Sequence, residues 1–92
     1  MEYQLVDPPI GTIIDYCNDL LSGEKLIVFD ERENFVLHIY KDEDYDPYVD
    51  EDAYNIVTIS VFKNGKCIED TDDIYVTDGE LEKELTRIYC GI

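Results

Sequence analysis

The dipeptide Asn64-Gly65 constrains this chain more than any other pair of residues. Both accept the positive φ of a type I′ turn, whose twist matches that of two antiparallel strands. The apolar run before it, Tyr54 to Phe62, and Cys67 and Ile68 after it are therefore predicted to pair as a hairpin. Val57, Ile59 and Val61 then share one face, by the two-residue period of extended backbone. The returning strand is expected to break at Asp70 to Asp73 and resume at Ile74 to Val76. Upstream, Leu26 to Phe29 and Phe35 to Tyr40 have the same β-branched and aromatic character, with Asp30 to Asn34 as a charged turn and Phe35, Leu37 and Ile39 on one face.

Helical periodicity flanks this β-rich middle. Asp7 is suited to cap a helix, and Pro8 and Pro9 to open one. Ile10, Ile13, Ile14, Cys17, Leu20 and Leu21 follow at helical spacing, and Gly23 is placed to stop it, so the spacing predicts a helix over 9–22. Thr77 with Glu80 reads as a capping box, and Leu81, Leu85 and Ile88 predict a second helix over about 78–90. The order is α-β-β-β-β-α. The expected fold is α+β: a small antiparallel meander of three to four strands, its apolar face covered by an N-terminal and a C-terminal helix. Residues 1–92 make one domain, long enough to bury roughly 60 to 65% of the surface of its unfolded form.

Charge is the outlying property. Twenty-three Asp and Glu stand against seven Lys and Arg, a net charge of −16. Solubility alone asks for about 2 to 8 charges on a small domain, and the excess repels itself in the compact state. Phosphate ligands are repelled as well, which excludes direct binding of nucleic acid. The densest charge is the stretch 42–52, where Asp42, Glu43, Asp44, Asp46, Asp50, Glu51 and Asp52 place seven carboxylates in eleven positions with no basic residue. Tyr45, Tyr48 and Tyr54 are interleaved there, and tyrosine supplies contact area and a hydroxyl at an interface. A second acidic stretch contains Asp70, Asp72 and Asp73. In extended backbone Asp42, Asp44 and Asp46 would lie about 6.6 Å apart on one side, the order of the spacing of phosphates along a nucleic-acid strand. Arg forks that grip phosphates also pair with carboxylates. The expected partner is a basic protein surface.

Other chemistry finds less support. Asp42, Asp44 and Asp46 match positions 1, 3 and 5 of an EF-hand loop, but Pro47 stands where its glycine belongs and Ala53 where its bidentate glutamate belongs. The only histidine, His38, sits inside a predicted strand, which suits a half-buried sheet residue better than a catalytic base. Glycines 11, 23, 65, 79 and 91 form no phosphate loop. Cys17, Cys67 and Cys90 form no CxxC pair and read as buried thiols of a reducing compartment. Neither catalysis, a metal nor a cofactor is expected. No apolar run approaches the about 20 residues of a membrane span, and the stretch after Met1 is no basic, apolar leader, so a cytoplasmic protein without membrane contact is expected.

With the acidic, tyrosine-containing loop and the short α-sheet-α order, the chain resembles the small acidic inhibitors encoded by phages, and among them the anti-CRISPR proteins that mimic DNA. The resemblance lies in size, charge and coarse architecture over the whole chain. It implies a protein in the host cytoplasm that blocks DNA binding by a CRISPR effector, with 42–52 as the first contact and Asp70 to Asp73 as the second. An immunity or antitoxin protein that neutralises a basic toxin nuclease would use the same physics, and an acidic adaptor without inhibitory role shares the composition.

Overall fold

A computed structural model of the chain describes residues 2–21, 23–32, 34–41, 56–76 and 79–91. Seven elements follow one another: β1 (Glu2–Val6), α1 (Ile10–Asp19), β2 (Lys25–Asp30), β3 (Phe35–Lys41), β4 (Ile56–Lys63), β5 (Lys66–Tyr75) and α2 (Glu80–Gly91). The fold is α+β, with one five-stranded sheet in the order β1-β2-β3-β4-β5. The meander β2 to β5 is antiparallel, as the turn at Asn64-Gly65 requires; these two residues have φ of 54° and 80°.

The element order departs from expectation at the N-terminus. Glu2–Val6 is a strand, and it pairs parallel with β2, Tyr3 opposite Leu26 and Leu5 opposite Val28. Parallel neighbours need a long crossover, and α1 supplies it. Strand β1 also reassigns Asp7. Its backbone N–H donates to the Phe29 carbonyl at 2.8 Å and its Oδ1 accepts from the Glu31 N–H at 2.9 Å, so it extends the ladder instead of capping the helix. Pro9 is the residue before the first helical turn, and its carbonyl accepts from Thr12 and Ile13.

Helix α1 ends at Asp19, not 22, and Gly23 is not what stops it. The Leu20 N–H donates to the Tyr16 carbonyl, and Lys41 Nζ donates to the Cys17 carbonyl at 3.3 Å. A cation on the last carbonyls suits the negative end of the helix dipole. Leu21, beyond the helical stripe, is 70% exposed. Gly23, with φ of 85°, donates to the Lys41 carbonyl and prolongs the pairing of β2 with β3.

The expected break at Asp70 to Asp73 is instead part of one ten-residue strand, β5, containing two register shifts. Counted regularly from the pair Lys63–Lys66, the ladder would put Asp70 opposite Ile59 and Asp72 opposite Val57, both on the buried face. One extra residue between Cys67 and Glu69, and another between Thr71 and Ile74, set Thr71 opposite Ile59 and Ile74 opposite Val57. Asp73 takes φ of 56°, a left-handed conformation that aspartate tolerates. These bulges keep two carboxylates out of the core and bring Ile74, 1% exposed, into it.

Both helices pack on one face of the sheet. Ile13 and Cys17 of α1 and Leu81, Leu85 and Ile88 of α2 form one cluster with Leu26, Val28, Phe35, Leu37, Ile39, Val57, Ile59 and Val61. The rings of Phe35 and Tyr89 meet edge-on at 5.2 Å and tie β3 to α2. Gly79, with φ of 75°, gives its carbonyl to the Lys83 N–H and so precedes the first turn of α2, where Glu80 and Glu82 complement the helix dipole. Thr77 of the expected capping box lies outside the described residues. Among the described residues no helix is long and apolar enough to cross a membrane.

Candidate functional site

Asp42, Glu43, Asp44, Tyr45, Asp46, Tyr48, Asp50, Glu51 and Asp52 lie outside the described residues. Asp70, Asp72 and Asp73 are described, and all three are exposed on β5, the outermost strand beside β4. They do not form one row. Asp70 faces away from the helices and accepts a hydrogen bond from Ser60 Oγ at 3.1 Å, while Asp72 and Asp73 fall in the second bulge. Glu69 turns to the helix side, where its carboxylate pairs with Arg87; Arg87 also holds Glu84 at 2.8 Å. Hydrogen bonds to Glu84 and then Glu69 raise the guanidinium pKa above its ordinary value. The acidic stretch of β5 is thus divided: Glu69 is compensated, and Asp70, Asp72 and Asp73 face solvent.

Basic residues are used internally to a degree the sequence did not disclose. Lys41 is 3% exposed, under the end of α1, and burial lowers its pKa. It lies beside Cys17, whose thiol burial pushes up to about 12, although the nearby ammonium acts in the opposite direction. Cys17 is a core residue, as its place on the helical stripe predicts. Cys67 and Cys90 are exposed, contrary to expectation. Cys67 is the second residue of an edge strand, and Cys90 lies off the Leu81, Leu85, Ile88 stripe of α2. Titration of the native protein with Ellman's reagent should therefore consume two thiols rapidly and the third only on addition of denaturant. Three fast thiols would contradict the packing of Cys17.

The sheet face away from the helices has a character that sequence reasoning missed. Pairing aligns Val6, Phe29, Val36 and Phe62 in one row across four strands, and Gln4, Ile27, His38 and Ser60 in the next. Val6 is 61% exposed, Ile27 is buried, and Phe29, Val36, His38 and Phe62 are half-buried. The His38 ring rests on Phe62 at 4.6 Å, the half-buried position expected of a sheet histidine. All of these residues but Ser60 line an open concavity of about 850 Å³, whose lining includes Glu2, Asp30 and Glu31 and neither Lys nor Arg. The signal was present in Val36 and Phe62, apolar residues alternating with the apolar core positions of their own strands.

Among the described residues no three His, Cys, Asp or Glu side chains are grouped so as to hold a metal ion. Comparison with protein-family models, with curated proteins and with solved structures returned no match.

Proposed function

We propose that this protein binds a basic, nucleic-acid-binding surface of another protein and blocks it by presenting carboxylates in place of phosphates. The observation that carries this reading is the exposure of Asp70, Asp72 and Asp73 on the outermost of the described strands, in a chain with net charge −16. Two of the seven basic residues, Lys41 and Arg87, are engaged within the fold, which leaves the surface still more one-sided. An arginine-lined groove that grips phosphates offers such carboxylates charge-assisted, two-pronged hydrogen bonds, and the long-range field speeds the encounter. Resemblance to the anti-CRISPR proteins makes an RNA-guided nuclease the first target to try.

The test is competition with DNA. Immobilised protein is exposed to the heparin-binding fraction of a bacterial lysate, and a short DNA duplex is then added. The duplex should release the captured protein, and the variant D70N/D72N/D73N should retain several-fold less of it at unchanged melting temperature. Raising salt from 50 to 500 mM should slow association at least ten-fold, because screening removes the steering. Retention indifferent to DNA, to the three substitutions and to salt would refute the reading.

A further inference from the structure

We propose that the sheet face opposite the two helices docks an amphipathic, cationic segment of a partner protein. Its apolar side chains fill the concavity over Val6, Phe29, Val36 and Phe62, and its Lys and Arg meet the carboxylates at the rim. The inference rests on the reading of the chain as a binder of basic surfaces and gives that contact an apolar centre.

Three observations select this occupant. Both helices lie on the opposite face, so among the described residues the apolar row is left open, and a contiguous apolar patch with a polar rim is the form that protein interfaces take. The carboxylates at the rim of the concavity are Glu2 and Glu31; Asp30 is buried on the helix side, and Lys25, opposite Glu2, lies outside the lining. A second copy of the chain would bring another net charge of −16 against these groups, and the stretch 42–52 would bring seven more carboxylates. A cationic segment brings the complementary charge. In such a contact the rim steers the encounter and the desolvated centre holds the complex.

The test uses two synthetic peptides of 14 residues with equal numbers of lysines at the same positions, one with leucines at helical i, i+3, i+4 spacing and the other with serines in their place. Titration calorimetry at 150 mM salt should show the leucine peptide binding at least ten-fold more tightly. V6S should reduce that ratio to about two-fold or less; because Val6 is mostly exposed, this variant keeps the fold, and its melting temperature verifies it. E2Q/E31Q should weaken both peptides together and leave the ratio. D70N/D72N/D73N should also leave the ratio, so this test and the DNA competition fail separately. Equal binding of the two peptides, a ratio that survives V6S, loss of the ratio in the edge-strand variant, or a dimer in sedimentation that dissociates on V6S would each overturn the proposal.

Discussion

Replacement of Phe35 by alanine is expected to lower the free energy of unfolding by about 3 to 5 kcal/mol. Phe35 is 2% exposed and lies where the end of β3 meets α2, its ring edge-on to Tyr89. Truncation removes the transfer free energy of the ring and leaves a cavity that neither a β-strand nor a helix can close by small shifts. A domain of this length has about 5 to 14 kcal/mol of stability in all, so the variant would stand near the limit of folding, with a melting temperature roughly 15 to 30 °C lower. Val6, in the row on the opposite face and 61% exposed, is the control: V6A should change stability by no more than about 0.5 kcal/mol. Urea denaturation of both variants measures the contrast. Equal losses would mean that the two faces of the sheet are not one buried and one open.

The contrast between those two faces marks how far the sequence was legible. Strict alternation in Phe35, Leu37 and Ile39, and in Val57, Ile59 and Val61, identified the core face of β3 and β4, because a strand with one buried face can hardly hide its period. The three buried positions of α2 were equally plain. Strand β1 was not, although Tyr3 and Leu5 alternate with Glu2 and Gln4, because five residues are too few to separate a strand from a terminus without its partner. The course of β5 was illegible for a different reason. A bulge is set by what the opposite strand needs, here Ile74 against Val57, and that information lies ten or more residues away. For the candidate site, the sequence located the exposed acids of β5 but not the salt bridge that removes Glu69 from them, since Arg87 is eighteen residues on. The apolar outer row escaped because its four members come from four strands and meet only through register.

Above pH 9 the protein should lose stability, most steeply beyond about pH 10.5, and a large part of that loss should vanish in C17A. The ordinary thiol pKa of 9.0 is pushed up to about 12 by burial of Cys17, which has no exposed surface. Between these values the folded state keeps a proton that the unfolded state releases, so the unfolded state binds fewer protons and stability falls as pH rises. One proton corresponds to about 1.4 kcal/mol per pH unit, or up to about 4 kcal/mol across the interval. Tyr89, also raised by burial to about 12 from 10.0, adds in the same direction from pH 10 upward. Lys41 works against both. Its folded pKa is lowered, so below its ordinary 10.5 the unfolded state binds more protons and this contribution to stability rises with pH. The decline should accordingly be blunted up to about pH 10.5 and sharpen beyond it. Urea midpoints at half-unit intervals from pH 8 to 11.5 measure the slope; C17A, at a cost of about 1 kcal/mol at neutral pH, should flatten it by close to one proton's worth. Identical slopes in the two proteins would show that the thiol ionises without leaving the core.

The two bulges of β5 also bear on how the length of this chain could change. Each is a residue that the pairing with β4 does not use, one between Cys67 and Glu69 and one between Thr71 and Ile74. Deleting either leaves Glu69 opposite Val61, Thr71 opposite Ile59 and Ile74 opposite Val57. What changes is the twist of the edge, which bulges increase. Strand β5 can therefore be shortened by one or two residues without moving a core side chain, whereas a one-residue deletion in β3 or β4 would turn half of its strand inside out. Related chains that have diverged by insertion and deletion should differ in length at this edge, and the tilt of its aspartates would vary with them.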